Sequence, residues 1–375
     1  MTEVAPTPSS CSADAIAAEL SDYLRPPGGG IHTVSTGKAE LEAKTRAYLG
    51  EAAALDDWRA CIRAALESRV VMLAIPSDTG AGIVRGAARG PEAIRAALER
   101  APVPELGDVF CIPHLLDDEM LSDAQRARCA EALYANSEFG TAPWRPVSPL
   151  GMAQRVYALL NGLPRPPRVV MLGGDHTVTW APMAELLSTD PSDNADIGIV
   201  HFDAHTDLLP ARLGVNYCFA TWAWHANQRL GGGERIIQLG IRASGHERGH
   251  WEQSLGVRQI WGDEARAMEP AALGALVVEH LKVRGLRRIY VTNDIDGTDA
   301  HWAAACGTPE PGGLRPDQVV AVYDALRDAG TFEFLGADVV EVAPGLSLDP
   351  AASARTVETA AQYTQSSLQL FSAGA

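Results

Sequence analysis

Short apolar runs rich in β-branched residues recur along this chain, separated by longer stretches of good helix formers. The runs fall at 70–75, 169–172, 197–202, 236–239, 288–292 and 334–335, the last leading into 339–342. Between them lie Ala/Leu/Arg-rich stretches at 90–100, 181–187, 270–282 and 316–329. Runs of this kind suit strands buried on both faces, and their alternation with helical stretches predicts a parallel sheet. The expected fold class is therefore α/β, with a mostly parallel central sheet between two layers of helices. In such sheets ligands and chemistry gather at the carboxyl ends of the strands.

The pattern is weaker elsewhere. Residues 1–30 are rich in Pro, Ser, Gly and Ala and end in Pro26-Pro27-Gly28-Gly29-Gly30, which reads as a linker. An N-terminal extension over 1–35 is expected, partly mobile or covering a neighbouring subunit, followed by one α/β domain over 36–375. Residues 38–68 carry few helix breakers and read as helical. Residues 101–150 read as an insertion or surface loops. The length of 375 residues and the 46% hydrophobic content suit a globular chain with a sizeable core. The formal net charge of −16 argues against nucleic acid and anionic membranes as partners, and it is compatible with a cationic substrate. Six scattered cysteines form no CxxC pair, so neither a zinc knuckle nor a disulfide framework is indicated. No stretch is apolar for long enough to span a membrane, and the expected location is cytoplasmic.

Three clusters of acids and histidines each follow a predicted strand. They are Gly173-Gly174-Asp175-His176, then His201-Phe202-Asp203-Ala204-His205-Thr206-Asp207, then Asn293-Asp294-Ile295-Asp296. All three should lie at one edge of the sheet. In extended backbone, residues at i, i+2 and i+4 point the same way, which fits Asp203, His205 and Asp207, and also Asp294 and Asp296. A single Asp after a strand is commonly a helix N-cap, and Asp175 fits that role or a supporting one. Three clusters at three strand ends point instead to metal. Four carboxylates and two imidazoles are too many for one ion. Two ions sharing carboxylates at roughly 3.5–4 Å can use them all. Such a donor set suits Mn²⁺ and related divalent ions.

These motifs resemble those of the ureohydrolase family, the arginases, agmatinases and their relatives. The matching blocks are GGDH at 173–176, DAHTD at 203–207, DID at 294–296 followed by GTPEPGG at 307–313, DVVEVAPG at 338–345, and Gly86–Arg95. The resemblance covers residues 70–360. It implies a three-layer α/β/α fold with a binuclear centre, usually manganese. His176 and Asp207 would bind one ion, His205 and Asp296 the other, and Asp203 and Asp294 would bridge them. The reaction implied is hydrolysis of a guanidinium C–N bond with release of urea. Asp207 would carry a proton to the departing nitrogen, and Glu341 would grip the guanidinium with two parallel N–H bonds.

The chain also departs from the family pattern. A histidine usual in agmatinases twelve residues after DAHTD is Phe219 here, so its proton-shuttling role is unfilled unless His225 swings in. After Asp296 two usual prolines are gone, and Trp302 and Cys306 have come in. Phe219, Trp222, Trp224 and Trp302 are expected to wall the substrate pocket, where aromatic faces favour a small bare cation. Free guanidine, giving urea and ammonia, is the expected substrate, with Mn²⁺ or Ni²⁺ as the metal. Agmatine, guanidinobutyrate and formimino-glutamate are the alternatives within the family, and a catalytically silent metal-binding protein is the alternative outside it. The resemblance further implies a homo-oligomer, a trimer or hexamer.

Overall fold

The apolar runs send successive side chains to opposite sides of a sheet, and both sides are covered. Val71, Leu73, Ile75, Val169, Met171, Ile197 and Ile199 belong to one buried cluster. Met72, Ala74, Val170, Leu172, Val200 and Phe202 belong to another. This is the period-2 alternation of strands enclosed between two helical layers. The computed structural model describes residues 12–32, 37–40, 42–43, 55–98 and 103–372. Among them, nine strands form one sheet: β1 (Leu24–Arg25), β2 (Val70–Ile75), β3 (Glu105–Val109), β4 (Arg168–Gly173), β5 (Ile197–Phe202), β6 (Ile236–Ile241), β7 (Arg258–Trp261), β8 (Arg288–Asp294) and β9 (Glu333–Val340). Their order is β1-β3-β2-β4-β9-β8-β5-β6-β7. All neighbours are parallel except the edge pair β1 and β3.

On one side pack the helices Ala13–Tyr23, Leu55–Leu66, Pro149–Asn161, Trp180–Leu186 and Trp222–Leu230. On the other pack Gly90–Ala97, Pro270–Val283, Pro316–Asp328 and Pro350–Gln369. The spacing of Leu273, Val277 and Leu281, four residues apart, puts one apolar stripe of its helix against the sheet. After β4 the chain skips two places to reach β5, and the gap is filled later by β9 and β8. The carboxyl ends of β4, β9, β8 and β5 are thus neighbours at a topological switch, where α/β sheets open a crevice.

Two expectations are corrected. The N-terminal extension is no free tail over residues 12–32. Ile16, Leu20 and Tyr23 are fully buried, and β1 closes the sheet edge by pairing Leu24 with Val109. Three ties hold it: Glu19 to Arg155 at 2.7 Å, Asp22 to Arg145 at 2.7 Å, and the Gly30 N–H to Asp108 at 3.0 Å. Residues 103–150, expected as an insertion or surface loops, are also structured. They hold β3, the helix Asp123–Tyr134 and the start of the helix Pro149–Asn161. Arg95 reaches both Glu105 (2.8 Å) and Asp108 (2.6 Å), which locks β3 to the helix Gly90–Ala97. The helix expected over 38–68 is seen at Leu55–Leu66. Residues 38–40 and 42–43 are helical too, residues 67–68 lie past the helix end in a turn, and residues 41 and 44–54 lie outside the described residues. The strand β7 had no counterpart among the expected runs.

Candidate metal centre

The register of the sheet sets the site. Phe202 pairs with Asn293 and Asp294 with Val340, so Asp203, Asp294 and Glu341 leave three adjacent strands at nearly one level. His176 arrives from β4 through a short 3-10 turn, His176–Thr179. Asp175 caps that turn by accepting the Thr177 N–H at 2.8 Å.

The six expected ligands come together. His176 Nδ1 faces Asp203 Oδ2 at 3.2 Å, Asp207 Oδ2 at 3.1 Å and Asp294 Oδ2 at 3.2 Å. His205 Nδ1 faces Asp296 Oδ2 at 3.1 Å and Asp203 Oδ1 at 3.4 Å. Asp203 thus serves both groups. Asp294 turns Oδ2 to His176, and its Oδ1 already accepts the Asp296 N–H at 2.9 Å. The other imidazole nitrogen of His176 lies 3.0 Å from Thr292 Oγ1, which donates to Asp338 at 2.6 Å. That partnership leaves Nδ1 for another use.

The donor set fits divalent cations. His176 Nδ1 is buried without a hydrogen-bond partner although three carboxylates surround it. Burial opposes a charge on His176, but the three carboxylates around Nδ1, Asp203, Asp207 and Asp294, override it and push its pKa well above the usual value. His205 is likewise pushed up to about 12, burial being outweighed by Asp296 and Asp203. Burial, with Asp296 and Asp203 beside it, raises Asp294 well above the carboxylate range. Four close carboxylates whose charges oppose one another form a pocket that favours positive charge. The Nδ1/Nε2 and carboxylate atoms of His176, His201, Asp203 and Asp207 lie within 4.8 Å of one another, and so do those of Asp203, His205 and Asp296.

Glu341 stands above β9 with a left-handed backbone, φ 64°, and Asp207 shares that conformation at φ 52°. Asp tolerates this conformation through its short polar side chain, whereas at Glu341 it costs energy that the surroundings must offset. Glu341 accepts the His176 N–H on Oε1 at 2.9 Å. Burial, then the Asp175 charge, pushes its carboxyl well above the usual range.

The aromatic residues divide. Trp222 is fully buried and is not among the residues lining the groove around Phe219, which corrects its expected place in the substrate wall. Its ring lies 4.8 Å from that of His176, and its Nε1–H donates to Asp207 Oδ2 at 2.9 Å. Phe219 is half-buried in the wall of a 570 Å³ groove, together with Thr79, Gly80, Ile83, Asp117 and Arg212. Trp302 is half-buried against His301 and is not among the groove's lining residues. His225 does not swing in. Its Nε2 sits on the Asn216 carbonyl at 2.9 Å, and its ring packs against Tyr217 and Trp224.

Sequence reasoning missed His201, Thr292, Asp338 and Thr308, which hold the ligands. Thr308 donates to Asp296 Oδ2 at 2.9 Å. His201 could have been found, because it has the parity of Asp203 and His205, which follow directly on its strand. Thr292 and Asp338 look like ordinary strand residues until β8 and β9 pair them.

Comparison with known proteins points to one family. A family model described as Arginase family matches residues 68–368. The chain is 31% identical over 288 residues to the N(1)-aminopropylagmatine ureohydrolase of Thermus thermophilus, covering 74% of this chain and 84% of that protein. It is 28% identical over 298 residues to the proclavaminate amidinohydrolase of Streptomyces clavuligerus, covering 73% of this chain and 80% of that protein. The solved structure of the latter aligns with a TM-score of 0.59 at 26% identity over 80% of this chain and 92% of that one. Arginase from Bacillus subtilis, 20% identical, shares the fold with a TM-score of 0.56 over 80% of this chain and 98% of its own. The chain belongs to the arginase family and is a ureohydrolase.

Proposed function

We propose that this ureohydrolase acts on free guanidine, releasing urea and ammonia, at two divalent ions, Mn²⁺ or Ni²⁺. His176 and Asp207 would hold one ion, His205 and Asp296 the other, and Asp203 and Asp294 would lie between them. The observation that carries the metal reading is the partnerless His176 Nδ1 facing three carboxylates. Metal ions bound there would lower the pKa of a water and supply hydroxide at neutral pH.

The chain's own residues do the rest. Glu341 receives the planar guanidinium, and the cation's charge favours the ionised carboxylate that burial otherwise disfavours. With Oε1 engaged by the His176 N–H, Oε2 is the freer oxygen. Attack makes the guanidinium carbon tetrahedral, and one nitrogen must gain a proton to leave. Asp207 carries that proton, and the Trp222 indole holds its carboxylate in place.

A small substrate is supported by the aromatic face of Phe219, against which the 78–82 loop packs closely. A Cβ on Gly80 would lie 2.1 Å from Thr177 Oγ1, and one on Gly82 would touch Phe219 at 3.4 Å. Phe219 also stands where agmatinases usually carry histidine. The groove favours a second reading, in which a tailed guanidino compound such as agmatine lays its amine toward Asp117, whose buried Oδ2 has no partner.

Urea release decides between the two. Guanidine, agmatine, 4-guanidinobutyrate, 3-guanidinopropionate and arginine would be compared with Mn²⁺ and with Ni²⁺. The guanidine reading expects guanidine to lead. A preference of about tenfold or more for a tailed substrate, about 1.4 kcal/mol in transition-state binding, overturns it.

A further inference from the structure

We propose that His201 is a positioning residue for the metal centre, its proton fixed on Nε2 by a buried hydrogen-bond ladder that starts at Trp261 and ends on Asp203. This rests on the metal reading of the site.

The ladder crosses three neighbouring strands. His201 on β5 pairs in register with Gln238 on β6, and Gln238 pairs with Gln259 on β7. Their side chains link in one row. Trp261 Nε1 donates to Gln259 Oε1 at 3.0 Å, and Gln259 Nε2 donates to Gln238 Oε1 at 2.7 Å. Gln238 Nε2 lies 2.7 Å from the Thr206 carbonyl and 3.0 Å from His201 Nδ1. His201 Nε2 lies 2.8 Å from Asp203 Oδ2. His201, Gln238 and Gln259 are each fully buried.

The direction of every bond follows from its end. An indole N–H can only donate. Gln259 must therefore turn its oxygen to Trp261 and its amide to Gln238. Gln238 must then offer its own oxygen to Gln259 and its amide to the other side. The Thr206 carbonyl, which can only accept, agrees with that orientation. His201 Nδ1 meets an amide donor and must accept, so the ring proton sits on Nε2 and points at Asp203. The other tautomer would set N–H against N–H at one end and a bare nitrogen against a carboxylate at the other.

Two consequences follow. His201 is not itself a metal ligand, although its ring stands beside His176, Asp203 and Asp207, because both ring nitrogens are committed. Asp203, the carboxylate common to both cation positions, has its Oδ2 aimed by His201 and its Oδ1 by the His205 N–H at 2.5 Å. Trp222 completes the cage by packing its ring 4.9 Å from His201. A carboxylate that must serve two ions gains most from being held before they arrive.

Two measurements test this. Nitrogen-15 spectra of histidine-labelled, metal-free protein are expected to show His201 protonated at Nε2 and bare at Nδ1. A proton on Nδ1 overturns the proposal, whether or not the protein binds metal. Separately, Mn²⁺ and Ni²⁺ are titrated into metal-free wild type, His201→Phe and Trp261→Phe. If wild type binds no metal, the metal reading fails, and the spectrum still decides the tautomer. The expected result is a loss of metal affinity of roughly 10–100-fold in His201→Phe. Trp261→Phe lies at the half-buried end of the ladder, and it should weaken binding in the same direction without unfolding the protein. Metal affinity unchanged in both variants overturns the positioning role.

Discussion

Asp207 and Asp117 are both buried carboxylates, and they differ in their partners. Asp207 meets the Trp222 indole and His176, contacts that fix its direction. Trp222→Phe keeps most of the packing and removes that donor. It should lower kcat about tenfold or more while thermal stability falls little; a variant with full kcat would show that Asp207 does not depend on Trp222. Asp117 lies among Asp118 and Glu119, and burial, followed by those two charges, raises its pKa to about 6. The folded state therefore binds its proton more tightly than the unfolded chain does. Asp117 costs no stability below the unfolded value near 3.8, and its cost grows as pH rises to about 6. Asp117→Asn should then gain up to roughly 3 kcal/mol at pH 7.5 and almost nothing at pH 3.5, read from denaturant unfolding at both pH values. At the centre itself, Asp294→Asn should lose bound metal and activity together. Glu341→Gln should keep the metal and lose substrate turnover, measured by metal analysis and urea release. A fully active Glu341→Gln protein would remove the clamp assignment.

At the scale of elements, the edge of the sheet carries the clearest prediction. The helix Ala13–Tyr23 buries Ile16, Leu20 and Tyr23 against the same cluster as the helix Pro149–Asn161. Leu20→Ala should cost about 2–4 kcal/mol, as for other fully buried leucines. A neutral result in chemical denaturation would mean that this segment is detached in solution. The 78–82 loop is the element beside the site. Gly80 has no room for a side chain, so Gly80→Ala should displace the loop from Thr177 and raise KM more than it lowers kcat.

For the whole molecule, the order β4-β9-β8-β5 brings together four strand ends that lie far apart in the chain. Residues from 176 to 341 thereby meet within a few ångströms, and none of the clusters could hold two ions alone. We propose the trimer or hexamer implied by the family resemblance as the assembled state. Sedimentation or light scattering should give three or six chain masses, and a monomer at assay concentration would reject it. Among the described residues no helix is long and apolar enough to cross a membrane.

The sequence by itself determined much of this. The runs at 70–75 and 197–202 match their strands because both faces of each strand are buried, and hydrophobicity marks that directly. The six residues brought together at the centre were legible because metal chemistry demands His and Asp at spacings that ordinary strand ends seldom supply. Other features were decided only in three dimensions. β1 and β7 are too short to announce themselves, and β1 exists because β3 offers it an edge. Trp222 reads like any aromatic residue, and only the packing of its helix turns it toward Asp207 instead of the groove. The same holds for Gln238 and Gln259, which look like polar interruptions in apolar strands. Their purpose lies in cross-strand register, and register is set by the pairing of segments that the linear sequence keeps apart.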